Sequence, residues 1–168
     1  GSSIIEDSPD NITLSATDID IGDSLSYTLV SQPSYGNVSI SNNQLLFTPF
    51  DNLSSGSSFS DNFTFEVKDS ENATDTAVVT LTVVGSNDRP VAIAGSGSSI
   101  TEDSPGNITL SATDIDIGDS LSYTLVSQPR YGNVTISNNQ LLFTPFDNLS
   151  SGSSFSDNFT FEVKDSEN

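Results

Sequence analysis

The chain has 168 residues, with 23 Asp and Glu against 4 Lys and Arg and a net charge of −19. Such an excess repels nucleic acid and anionic membranes and attracts cations. Cysteine and histidine are both absent, which excludes a disulfide framework, thiolate metal sites, the usual general base and the commonest transition-metal ligand. No stretch approaches the ~18 apolar residues of a membrane span, and no basic-then-apolar leader opens the chain, so this segment is not expected to insert into a membrane.

Apolar and polar residues alternate with a period of two along the chain, and no helical stripe interrupts them. Ile4-Ile5 comes first, followed by Ile12, Leu14 and Ala16, then Leu25, Tyr27 and Leu29. Val38 and Ile40 follow the turn at Tyr35-Gly36-Asn37, and Leu46 with Phe47 follows Asn42-Asn43. Phe63, Phe65 and Val67 form the sixth run, and Ala77, Val79, Leu81 and Val83 the seventh. About seven short strands divided by Gly, Pro, Asn and Asp turns suit an all-β fold, a two-sheet antiparallel sandwich of immunoglobulin type. Phe47, Phe50, Phe59, Phe63 and Phe65 read as core or core edge. Tyr35 and Tyr131, beside glycines in turns, either pack on a neighbouring loop or stack on a sugar ring.

The pattern occurs twice. Residues 1–72 return as 97–168 at an offset of 96, with four substitutions: Ile5/Thr101, Asp10/Gly106, Ser34/Arg130 and Ser39/Thr135. That period is too long for a solenoid repeat and right for a small globular domain. Near-identical neighbours give a stalk length and an adhesin avidity, and give an enzyme little. The expected division is a first repeat over 1–85, a linker over 86–90 and a second repeat over 91–168. Pro90 holds Arg89 towards extended geometry, so the linker is short and directional. The second copy ends before any counterpart of the strand carrying Val79, Leu81 and Val83. Three readings stay open: a strand donated in trans by a neighbouring subunit, continuation past residue 168, or an arbitrary boundary.

Acidic residues cluster between strands. Asp18-Ile19-Asp20-Ile21-Gly22-Asp23 joins two runs, and Asp114 to Asp119 repeats it. Alternate carboxylates on an extended loop turned by glycine suit calcium, which takes six to eight oxygens at ~2.3–2.6 Å. The spacing is not that of an EF-hand. Asx-rich turns also arise for purely conformational reasons, so calcium binding and turn capping both remain open. Glu6, Asp69 and Asn87-Asp88 add oxygens near the ends of strands.

Residues 6–29, with Glu6-Asp7-Ser8-Pro9 and then Ala16-Thr17-Asp18-Ile19-Asp20-Ile21-Gly22, resemble the opening of a cadherin repeat. Residues 63–92, with a strand ending at Asp69, a valine-rich strand and Asn87-Asp88-Arg89-Pro90-Val91-Ala92, resemble its ending. The chain is similar throughout to cadherin-like tandem repeats of bacterial and archaeal cell-surface proteins and large adhesins. That resemblance implies Greek-key sandwiches and a structural calcium site at the linker. Asn87, Asp88 and the Arg89 carbonyl would face Asp114 and Asp116, with Asp165 closing the cage. Glu6, Asp18, Asp20 and Asp69 would serve an equivalent site with a preceding repeat. The cadherin Leu-Asp-Arg-Glu motif has no counterpart, and Gly85 stands where the linker's first Asp would be, which implies one or two ions.

Asn-x-Ser/Thr sequons occur at Asn11, Asn37, Asn52, Asn62, Asn72, Asn107, Asn133, Asn148 and Asn158. They are glycosylation acceptors in an exported protein and equally ordinary turn chemistry in a Ser/Thr-rich β protein. The expected protein is a non-enzymatic extracellular or cell-surface module, a repeat of a calcium-stiffened stalk, filament or adhesin shaft. Its expected partners are neighbouring copies of the repeat. The alternative is a module that itself touches a protein or cell-surface glycans.

Overall fold

Gln44–Pro49 and its neighbours illustrate how the strands form. Leu45, Phe47 and Pro49 point inward and are buried, while Gln44, Leu46 and Thr48 face out. The computed structural model describes residues 3–95, 97 and 99–167. Every regular element among them is a strand. The chain divides into two compact units, Gly1–Asn87 and Asp88–Asn168.

The first unit holds β1 (Ser3–Ile5), β2 (Asp10–Thr13), β3 (Ser26–Ser31), β4 (Gly36–Ser41), β5 (Gln44–Pro49), β6 (Ser58–Lys68) and β7 (Thr74–Val84). One sheet runs β1-β7-β6-β3 and the other β2-β5-β4. All pairings are antiparallel except β1 on β7, which is parallel with Ile4 opposite Val83. Ten buried apolar side chains fill the space within this unit, among them Phe47, Phe63, Leu45, Leu81 and Val83. The inward pair on β5 is Leu45 and Phe47, and Leu46 is 39 % exposed. Pairing Leu46 with Phe47 from the sequence therefore mistakes the face by one residue. Phe50 is also exposed rather than at the core edge.

Three side chains fasten this unit where strands cannot. Asp61, buried on β6, accepts backbone N–H bonds from Ser34, Tyr35 and Asn62 at 2.7–3.0 Å. Glu6, also buried, accepts from Leu53 on one carboxylate oxygen and from Ser86 on the other, both at 2.9 Å. Gln32 brackets Val38, donating to its carbonyl at 3.0 Å and accepting its N–H at 2.8 Å. An amide thus satisfies part of the outer edge of β4, a place where an unpaired strand would otherwise invite another chain.

The second unit holds β8 (Val91–Ile93), β9 (Gly106–Thr109), β10 (Ser111–Thr113), β11 (Ser122–Ser127), β12 (Gly132–Ser137), β13 (Gln140–Pro145) and β14 (Thr160–Lys164). Its pairings are β12-β13-β9, β11-β14 and β10-β8. The sheet of β9, β13 and β12 reproduces β2, β5 and β4 with residue-for-residue register. The other sheet differs. In the first unit, β3 pairs with β6 only from Thr64 to Lys68, and Ser58–Phe63 has β7 as its partner. In the second unit the half matching Thr64–Lys68 remains a strand as β14. Residues 154–159 are irregular, and so are the described residues of 99–101, whose equivalents form β1 on β7. Strand character is lost where β7 was the sole partner and kept where β11 still pairs.

Candidate metal centre

The loop from Asp114 to Asp119 follows β10 and turns at Gly118, whose φ of 102° suits glycine alone without strain. Asp116 N–H donates to Asp114 Oδ1 at 3.1 Å, an Asx turn that draws both carboxylates to one side of the loop. Asp114, Asp116 and Asp119 each present an oxygen within 4.8 Å of the other two. Two oxygens bound to one calcium at about 2.4 Å are at most about 4.8 Å apart, a spacing that all three pairs meet. Asp119, Asp165 and Glu167 form a second such group that shares Asp119. Asp165 follows β14 directly, accepts the Glu167 N–H at 3.0 Å and is buried.

Asp116 is 5 % exposed, and its Oδ2 accepts the Asp88 N–H at 2.8 Å. Its other oxygen, with Asp114 Oδ2 and Asp119 Oδ2, is buried and has no hydrogen-bond partner. Burial pushes the Asp116 carboxyl up from its ordinary value. The Asp88 N–H works against that, and the charges of Asp119, Asp114 and Asp165 add to it. Buried anionic oxygens left without partners are costly. A hard cation would satisfy all three at once, and the donor set is oxygen only, as calcium requires. The residues present fit the ion.

The equivalent loop of the first unit is more open. Asp18, Asp23 and Asp69 lie within the same mutual distance. Asp18 and Asp20 are exposed, and Asp23 and Asp69 are half-buried. Asp18 accepts the Asp20 N–H, Asp23 the Ser70 hydroxyl, and Asp69 the N–H groups of Glu71 and Ala73, all at 2.8–2.9 Å. Glu6 lies in the clamp described above. Asn87 ends the first unit, while Asp88 and Arg89 open the second, Asp88 half-buried and the other two exposed.

Asp23, Asp119 and Glu167 are not among the ligands expected from the sequence. The acid directly after Gly22 and Gly118 was the available signal for the first two. Of the nine sequons, Asn11, Asn37, Asn62, Asn72, Asn107, Asn133, Asn148 and Asn158 are exposed and Asn52 is half-buried. Tyr35 packs on Phe59 with ring centroids 4.6 Å apart, and Tyr131 on Phe155 at 4.7 Å. Each tyrosine turns a face to a phenylalanine, in line with packing on a neighbouring segment.

Comparison with known proteins agrees with the fold. The bacterial Ig domain family matches residues 2–82 and again 87–168. The chain belongs to that family and carries two copies of its domain. Drosophila N-cadherin EC1-4 is similar in structure, with a TM-score of 0.53, 16 % identity, and 94 % of this chain and 40 % of that one covered. The protocadherin GammaB4 extracellular domain gives 0.45 and 18 %, covering 96 % of this chain and 30 % of that one. Chicken VE-cadherin EC1-2 gives 0.39 and 15 %, covering 98 % and 88 %. The chain spans less than half the length of the first two structures. No curated protein matches. The chain is thus a tandem pair of Ig-like, cadherin-like β-sandwich repeats.

Proposed function

We propose that the chain is part of a non-enzymatic extracellular stalk or adhesin shaft whose second repeat takes up calcium. Asp114, Asp116, Asp119 and Asp165 would hold the ion, with oxygens from Asn87, Asp88 and the Arg89 carbonyl in the segment leading into that repeat. The observation that carries this reading is the set of three buried carboxylate oxygens without partners. The ion would cancel their mutual repulsion and pin the leading segment to the loop, which restricts the hinge. Extracellular modules bind calcium with dissociation constants of ~10⁻⁴–10⁻³ M, so the ion would brace the joint without being needed for the fold. The exposed sequons fit a glycosylated surface protein, and neighbouring copies of the repeat remain the proposed partners. The first repeat's Asp18, Asp20 and Asp69 belong, on this reading, to a site shared with a preceding repeat, and Glu6, held in its clamp, is not grouped with them.

Calcium titration by calorimetry tests the proposal. The wild-type chain is expected to bind in the stated range, and Asp116→Asn to weaken binding at least tenfold. Unchanged affinity in that variant, or no calcium binding at millimolar concentration, would reduce the cluster to turn capping.

A further inference from the structure

Four of the nine sequons lie on one kind of surface, the outward face of the sheet β2-β5-β4 and of its copy β9-β13-β12. On β2 and β4 the acceptor asparagine and its hydroxyl partner alternate with an inward residue, so both project outward. Asn11 and Thr13 flank the half-buried Ile12, and Asn37 and Ser39 flank the buried Val38. The register sets Asn11 opposite Leu46 on one side and Ser39 opposite it on the other, with Asn37 opposite Thr48 one row along. Leu46 is 39 % exposed. The second unit repeats the arrangement: Asn107 and Thr135 flank Leu142, which is 40 % exposed, and Asn133 is opposite Thr144. Ser39/Thr135, one of the four differences between the copies, exchanges one acceptor hydroxyl for the other and keeps the sequon. A lone exposed leucine is ordinary on a protein surface. Here it sits between two acceptors on a face otherwise made of Ser, Thr, Asn and Gln.

We propose that Asn11 and Asn37, and likewise Asn107 and Asn133, carry N-linked glycans whose first sugars lie on Leu46 and Leu142. The co-substrate is a lipid-linked oligosaccharide of the exporting cell. In the transfer, the asparagine side-chain nitrogen bonds to C1 of the first sugar and the bond from C1 to the lipid phosphate breaks. The lipid phosphate leaves, and the amide gives up one proton and stays neutral. Directly opposite side chains on a sheet lie about 4.5–5.5 Å apart and diagonal ones about 7–8 Å. A sugar on Asn11 therefore starts beside Leu46, and one on Asn37 reaches it diagonally. The apolar face of a pyranose ring then covers the leucine while its hydroxyls meet the surrounding polar side chains. In the folded chain the Gln44 amide donates to the Thr13 hydroxyl at 3.1 Å, and Gln140 to Thr109 at 3.2 Å. These bonds occupy the acceptor hydroxyls, so the transfer belongs to the emerging chain, before β2 and β9 pair. This inference rests on the reading of an exported surface protein and deepens it by naming the face that bears sugar; it does not depend on calcium.

The test compares the full chain secreted by a host that has an oligosaccharyltransferase with the same chain made in a host that lacks one. Glycopeptide mass spectrometry is expected to find sugar on Asn11, Asn37, Asn107 and Asn133. The glycosylated chain should melt higher, and partial cover of one leucine accounts for about 2–4 °C of the rise in a domain of this size. That part should survive trimming of each glycan to its first sugar. It should vanish in the double variant Leu46→Ser and Leu142→Ser, whose fold is unaffected because both side chains face outward. Sugar missing from either asparagine of a pair, a rise lost on trimming, or an equal rise in the double variant would each overturn the proposal. Asp116→Asn is expected to carry the same sugars, so this test and the calcium test fail separately.

Discussion

Asp116 and Asp157 are both acids of the second unit whose carboxyls respond to the fold in opposite directions. Burial raises the Asp116 carboxyl, so the folded chain holds its proton more tightly than the unfolded chain. Its contribution to stability therefore falls as pH rises from the ordinary value near 3.8 through the raised folded value. At neutral pH without calcium, Asp116→Asn is expected to unfold at a higher temperature than wild type, although it binds calcium less well. A merely structural hydrogen-bonding role would predict the reverse. For Asp157, burial pushes the carboxyl up but is outweighed by N–H donors at Arg130, Tyr131 and Asn158 and by the Arg130 guanidinium, leaving it lowered. That stabilisation is present above the ordinary value near 3.8 and disappears as pH falls through the lower folded value. Asp157→Asn should thus flatten the acid limb of a stability profile below about pH 4, measured by denaturant titration at a series of pH values. A profile identical to wild type would remove Asp157 from that role.

At the scale of elements, the period-two pattern was legible because strands bury alternate side chains and the runs are bounded by Asn, Gly and Pro. The seven runs of the first copy correspond to its seven strands in order. What was not legible depends on partners far away in sequence. Glu6 meets Leu53 and Ser86, and Asp61 meets Ser34 and Tyr35, across separations of 26 to 80 residues. No local pattern encodes such clamps. The first half of β6 was likewise hidden: Ser58-Phe59-Ser60-Asp61-Asn62 is polar enough to read as loop and becomes strand through β7. Of the metal cluster, the Asp-x-Asp-x-Gly-Asp loop was plain in sequence, but the burial that leaves its oxygens without partners was not. The dependence on β7 gives a direct prediction. Leu81, 2 % exposed, packs in the first core, and Leu81→Ala is expected to cost that unit about 2–5 kcal/mol. Denaturant unfolding followed by amide exchange should place the loss in residues 3–87 and leave β9, β12 and β13 unchanged. An equal loss in both units would mean that they share one core.

Across the whole molecule, two nearly identical sequences make unequal cores. The first unit encloses Phe63, Phe65, Leu81 and Val83, while the second leaves Phe159 and Phe161 half-buried with no β7-type strand among its described residues. Each fully buried residue of this kind contributes about 1.5–3 kcal/mol, a large fraction of a domain's net ~5–15 kcal/mol. Calorimetry is therefore expected to show two transitions, the second unit melting first. Calcium should act unequally on them. The second unit holds buried carboxylate oxygens without partners, whereas the first unit's loop is open and its acids are hydrogen-bonded. At tenfold excess over its dissociation constant the ion adds about 1.4 kcal/mol, on the order of 5–10 °C for a unit of this size. The lower transition should rise by that amount and the upper one by less, with chelator reversing both. If both rose equally, the ion would bind the two loops alike, and the burial around Asp116 would have no bearing on affinity. If only the upper rose, the open loop at Asp18, Asp23 and Asp69 would be the stronger site, and preorganisation by hydrogen bonds would matter more than exclusion of water.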